Sequence, residues 1–135
     1  MMNTGIMKFK NNSGKYGELV AIEGKFDIPF EIKRIYYIKN VPEQVERGFH
    51  SHRNLHQILI CVSGSVKVKM KNPSEEEIVE LFDSSKGLYI GPMIWREMYD
   101  FTEDAVLLVL ASDVYDESDY IRNYDFYYEE ASKLF

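Results

Sequence analysis

Among 135 residues there are one cysteine, one tryptophan, three histidines and four prolines, and each shortage excludes something. Cys61 alone cannot form an internal disulfide or a multi-thiolate metal centre, and so few thiols suit a reducing compartment, so the expected location is the cytoplasm. With 4 Pro and 8 Gly the chain is neither collagenous nor linker-rich. Its longest apolar runs, such as Ala105 to Ala111, fall far short of the ~20 residues a spanning helix needs, and Met1 to Lys10 lacks the apolar stretch of a signal peptide, so no membrane partner is expected. Positive charge is also in deficit. The 16 Lys and Arg against 22 Asp and Glu leave a net charge of −6, which disfavours a nucleic-acid binder because many phosphates would have to be neutralised. A small anionic ligand stays open if the few cations cluster.

What is abundant points to strands. Aromatic residues make up 14% of the chain, β-branched residues recur, and short runs are punctuated by turn residues. Strands are expected at Gly17 to Glu23, Ile32 to Lys39, Leu55 to Val62, Ser65 to Met70, Ile78 to Phe82, Leu88 to Ile90, Ile94 to Met98 and Ala105 to Ala111. The Ser63-Gly64 turn suggests that the third and fourth form a hairpin. From Glu117 to Leu134 the stripe of Tyr120, Ile121, Tyr124, Tyr127, Tyr128 and Ala131 predicts a terminal helix. No repeat or long linker divides the chain, so residues 1–135 are expected to form a single domain. The expected architecture is all-β, a small jelly-roll barrel with a short C-terminal helix, whose interior can host a small ligand.

All three histidines fall within seven residues, at His50, His52 and His56. If His50-Ser51-His52 is extended, period two places both imidazoles on one face, beside Gln57 at the start of the next apolar strand. Gly48-Phe49-His50-Ser51-His52, followed by Gln57 and Gly64, resembles the first motif of the cupin superfamily, in which His-x-His and a Glu at the Gln57 position bind a metal. Here that Glu is missing, and Gly87 to Trp95 offers Trp95 and no histidine where the second cupin motif supplies one. An amide replaces a carboxylate poorly on a divalent ion, so metal binding would be weak unless His56 turned inward. The expectation is no metal and no cofactor. Two metal-free imidazoles in a barrel suit acid/base work at neutral pH.

The resemblance extends further. Leu19 to Glu23, Ile32 to Ile38, Arg47 to His52, Gly87 to Pro92 with Trp95, and Asp119 to Tyr124 are similar, in order and spacing, to the dTDP-4-oxo-6-deoxyglucose 3,4-ketoisomerases of deoxysugar biosynthesis, a cupin family. Ser51 departs from the usual Ala. The resemblance implies transfer of a carbonyl from C4 to C3 of a dTDP-linked 4-oxo-6-deoxy sugar, with His50 as the base at C3 and His52 as acid partner or relay. Arg47, Gln57 and Tyr36 or Tyr37 are candidate oxyanion donors, and Lys33, Arg34, Arg47, Arg53 and Arg122 are candidates for the diphosphate. Trp95 reads equally as a thymine platform or as core. Lys67, Lys69 and Lys71 read as a solvated face, the Tyr120 to Tyr128 cluster as helix packing, and Cys61 as an inert buried thiol. Family members making the 3-oxo galacto compound tend to have Arg at Tyr16 and His at Arg96, so these two residues point to the gluco product. The resemblance also implies a homodimer that exchanges an N-terminal strand, drawn from Leu19 to Ile22. The alternatives are a galacto product, a metal-dependent cupin on His50, His52 and His56, and a non-catalytic sugar-nucleotide-binding cupin.

Overall fold

The computed structural model describes residues 1–135, with twelve strands and one α-helix. One five-stranded antiparallel sheet has the order β1 (Thr4–Lys8), β9 (Lys86–Ile90), β6 (Gln57–Ser63), β11 (Val106–Ala111), β4 (Arg34–Lys39). The other runs β12 (Tyr120–Ile121), β5 (Arg47–His52), β10 (Trp95–Tyr99), β7 (Val66–Lys71), β8 (Glu76–Leu81). β2 (Asn11–Gly14) and β3 (Gly17–Val20) form a separate hairpin, and α1 (Tyr124–Ala131) follows β12. No helix is long and apolar enough to cross a membrane.

The two large sheets face each other across an apolar core. Leu59, Cys61, Leu88, Ile90, Leu107 and Val109 come from one, and Val66, Val68, Met70, Leu81 and Met98 from the other, all buried. Their spacing by two along each strand is the alternation of a pleated sheet with one face inward. β6 is buried on both faces, because Phe9, Ile28 and Phe30 cover Ile58 and Ile60 from outside. That second layer explains why residues 55–62 read as an unbroken apolar run rather than an alternating one.

Several boundaries differ from expectation. Val66 to Lys71 is a strand, but it pairs with β8 and β10, whereas β6 pairs with β9 and β11. The predicted hairpin is therefore wrong. The Ser63-Gly64 turn, with Gly64 at φ +67°, carries the chain from one sheet to the facing one, a connection that strand periodicity does not distinguish from a hairpin. β1 and β2 lie in what reads as a polar lead, since β1 buries little. The expected helix over 117–134 resolves into a 3₁₀ turn at Glu117–Asp119, β12 and an eight-residue α1 capped by Asn123, whose Oδ1 accepts from the Phe126 N–H at 2.9 Å.

Candidate active site

The site lies at one end of the barrel, where inward positions change from apolar to polar. Gly48 and Phe49 both adopt positive φ, +92° and +56°, and the pairing of β5 with β10 shifts register between Arg96 and Glu97. This is a β-bulge, which re-aims side chains beside it. A Cβ on Gly48 would stand 2.9 Å from the Arg96 carbonyl oxygen, so only glycine fits. After the bulge Phe49 is exposed while His50 is half-buried and His52 fully buried. Their ring centroids are 4.9 Å apart, edge to face. The predicted sharing of one face is correct.

Each histidine borders a different cleft. His50 opens on a cavity of about 340 Å³ lined by Arg34, Tyr36, Arg47, Tyr120 and Arg122, with no carboxylate in its wall. Its Nδ1 lies 3.0 Å from the Gly48 carbonyl. A carbonyl can only accept, so Nδ1 carries the proton and Nε2 keeps a lone pair. Burial first, then the charges of Arg96 and Arg122, lower its pKa to about 4, so it is a free base at neutral pH. His52 borders a smaller cavity of about 110 Å³ that includes Asp113, Asp116 and Asp119. Burial, followed by Arg96 and His50, lowers its pKa to about 2. Arg34 and Tyr120 belong to both walls.

Beneath the histidines lies a buried polar layer. Arg96 donates from Nη1 to Gln57 Oε1, and from Nε and Nη2 to the Ile94 carbonyl at 3.3 and 3.0 Å. Gln57 Nε2 donates to the Tyr36 hydroxyl at 3.0 Å, leaving that hydroxyl's own proton free to be given. Burial raises the Tyr36 pKa, so the proton stays in place. Arg34 lies over the Tyr36 ring at 4.9 Å and the Tyr115 ring at 5.6 Å, its Nε buried without a partner. Arg122 stacks on Tyr120 at 4.2 Å and is held bidentately by Glu117 at 2.7 and 3.0 Å.

This donor set does not fit the metal that the cupin motif binds. Gln57, at the carboxylate's position, presents its oxygen to a buried guanidinium, and a divalent cation there would face the Arg96 charge with no anionic ligand. His56 is elsewhere: its Nδ1 bonds the Tyr89 hydroxyl at 2.7 Å, and its ring lies against Phe30.

Of the residues singled out in the sequence, His50, His52, Arg34, Tyr36, Arg47, Gln57, Arg96 and Arg122 converge. Tyr37 does not, since it alternates to the outer face and is exposed. Trp95 is buried under α1, against Tyr124 and Tyr127 at 5.1 and 5.6 Å, with Nε1 donating to Glu97 at 2.9 Å. Tyr16 is 93% exposed at the tip of the β2–β3 hairpin, and Arg53 lies over Phe126. Tyr120 was the residue misplaced: it belongs with the histidines, its ring 4.3 Å from His52 and 5.0 Å from His50. Helical spacing grouped it with the α1 tyrosines, and only its strand pairing with His52 separates it from them.

Comparison with known proteins gives the family. Residues 2–132 match the family model described as FdtA: WxcM-like, C-terminal. The TDP-4-oxo-6-deoxy-alpha-D-glucose-3,4-oxoisomerase of Aneurinibacillus thermoaerophilus is 44% identical over 133 residues, covering 98% of this chain and 96% of that one. The crystal structure of QdtA, a sugar 3,4-ketoisomerase from Thermoanaerobacterium thermosaccharolyticum in complex with TDP, has a TM-score of 0.99 at 62% identity, over 100% of this chain and 98% of the other. WlaRB, the TDP-quinovose 3,4-ketoisomerase of Campylobacter jejuni, superposes with a TM-score of 0.92 at 43% identity, over 96% and 99%. With a matching model over nearly its whole length and relatives of this identity, the chain belongs to the FdtA family of cupin-fold TDP-sugar 3,4-ketoisomerases.

Proposed function

We propose that this protein moves the carbonyl of a TDP-linked 4-oxo-6-deoxyglucose from C4 to C3 by proton transfers on His50 and His52. One observation carries the reading: a free-base histidine, its Nδ1–H tied to Gly48 and its Nε2 unblocked, stands in a cleft walled by Arg34, Arg47 and Arg122. That is a proton acceptor beside a diphosphate-binding wall.

The chemistry needs no redox partner. The C4 carbonyl acidifies the hydrogen on C3, and His50 Nε2 takes it, leaving an enediolate with its charge on O4. The Tyr36 hydroxyl, oriented by Gln57 and backed by Arg96, stabilises that oxygen in this reading. A proton then passes from O3 to O4, for which the His52 imidazole serves as relay, and as C3=O forms C4 takes a proton from a donor on the face opposite His50, while His50 releases the proton it took to solvent. One proton leaves C3 and one arrives at C4, so the sugar keeps its composition and the step is an isomerisation. An anionic diphosphate against Arg122 offsets one of the charges that depress His50, and so raises its basicity when substrate is present.

The gluco product is the expected one. It rests on Tyr16 and Arg96 standing where galacto-producing members of the family tend to have Arg and His. In a gluco chair the C3 and C4 hydrogens lie on opposite faces, so a second donor besides His50 is required. Tyr16, exposed on a projecting hairpin, reaches a substrate if β2 and β3 are lent to a second copy, which is the homodimer proposed here. The test is turnover of TDP-4-oxo-6-deoxyglucose labelled with ¹³C at C3 and C4. The carbonyl signal should move from C4 to C3, and proton couplings at C4 should report the gluco configuration. An unchanged substrate would favour a binding protein, and a galacto product would overturn the assignment resting on Tyr16 and Arg96.

A further inference from the structure

His52 differs from His50 in what surrounds its nitrogens. It is 1% exposed, and neither Nδ1 nor Nε2 has a hydrogen-bond partner. A buried imidazole with both nitrogens unpaired is costly unless something else meets them. On the Nδ1 side that something is present: Asp119 Oδ2 stands 3.3 Å away, within ion-pair distance though short of hydrogen-bond alignment. Asp119 is itself anchored. Its Oδ1 accepts from the Asn54 N–H at 2.9 Å, its carbonyl accepts from the Arg53 N–H at 2.9 Å, and its own N–H donates to the Asp116 carbonyl at 3.1 Å. The next residue, Tyr120, pairs directly with His52 across β12 and β5. One carboxylate oxygen is thus occupied by backbone, and the other is presented to the imidazole.

A neutral imidazole carries a single N–H, and an ionised carboxylate can only accept. The nitrogen facing Asp119 therefore holds the proton, and Nε2 is left as an acceptor with no partner in the protein. We propose that Asp119 is a positioning residue that fixes His52 as the Nδ1–H tautomer, so that Nε2 is free to accept a hydroxyl proton of the sugar. Without it, either tautomer of His52 is available, and the fraction with Nε2 protonated cannot act as acceptor. His50 obtains the same tautomer by a different device, the Gly48 carbonyl.

This inference rests on the ketoisomerase reading for its consequence but not for its test, because a tautomer is read without turnover. The experiment uses protein with ¹⁵N-labelled histidine, saturated with TDP, and long-range ¹H–¹⁵N correlations that separate protonated from unprotonated ring nitrogens. For wild type, His52 should show a protonated Nδ1 and an unprotonated Nε2. In Asp119→Asn, which keeps an oxygen for the Asn54 N–H, the Nε2–H form should gain population and kcat should fall about 10- to 100-fold, with KM within about threefold. In a His52→Asn background, Asp119→Asn should cost less than about threefold more, since both act through one group. A wild-type His52 protonated on Nε2, an unchanged tautomer in Asp119→Asn, or full additivity of the two substitutions would overturn the proposal. If Asp119→Asn does not fold, the wild-type tautomer alone decides. Absence of turnover in wild type with the Nδ1–H tautomer in place would sink the ketoisomerase reading and leave this one standing.

Discussion

The two clefts that meet at Arg34 and Tyr120 are opposite in charge, although the histidines that open on them are two residues apart on one strand. The front cleft gathers Arg34, Arg47 and Arg122 around His50, and its nearest carboxylate, Glu117, holds Arg122 from outside the wall. The rear cleft places Asp113, Asp116 and Asp119 beside His52. Period two explains why both rings point inward, and the bulge at Gly48 and Phe49 explains how they resume that direction. Neither explains the division of charge. That comes from the loop after β11 and from β12, which bring the 112–122 segment against β5 from behind. The lesson is that an acidic chain can still bind an anion, because what matters is how few carboxylates share the wall with its cations.

The comparison is broken most severely by removing His50, the proposed front-cleft base. His50→Asn should lower kcat by about 10³-fold while TDP affinity, assigned here to the arginines, stays within about threefold; calorimetry and progress curves together check it. Next comes the charge division. Arg122→Ala should weaken TDP about 10- to 100-fold through loss of charge-assisted bonds, whereas Asp116→Asn in the rear cleft should change it less than about twofold. Equal effects from the two substitutions would erase the distinction between the clefts.

A smaller effect sharpens the front cleft in pH. His50 titrates at about 4 in the folded protein, lowered chiefly by burial, and at ~6.5 when unfolded. Between these values the unfolded chain binds a proton that the folded one refuses. The stability associated with a neutral His50 is therefore complete above about pH 6.5 and declines as pH falls towards 4. The melting temperature should drop from pH 7 to pH 5, less so for His50→Asn, and kcat/KM should keep its value well below the pH at which an ordinary histidine would become protonated. An acid limb centred at 6.5 would mean that His50 is not held as described.

Much of this was legible in the residues. The core strands follow from alternation and apolar runs, and the pairing of His50 with His52 from spacing. What escaped was whatever depends on which strand lies beside which. The β6 to β7 connection reads as a hairpin because a tight turn between two strands looks the same whether they pair or face each other. Trp95 and Arg96 are adjacent on β10 and both buried, yet one sits under α1 and the other beneath the histidines. Sequence alone does not say which face of that strand is the barrel. Asp119 and Tyr120 depend on β12, a two-residue strand too short for any periodicity. Tyr16 lies far out on its hairpin, and the role proposed for it depends on a second copy of the chain.

The central claim is that the proton on C3 leaves to a base in the front cleft and the carbonyl arrives there. The most direct measurement is ¹H NMR of TDP-4-oxo-6-deoxyglucose incubated with the wild-type protein in D₂O. The account predicts loss of the C3 proton signal together with growth of a 3-oxo sugar still linked to TDP. A C3 proton that persists at full intensity, with the nucleotide bound and no 3-oxo product, would contradict it.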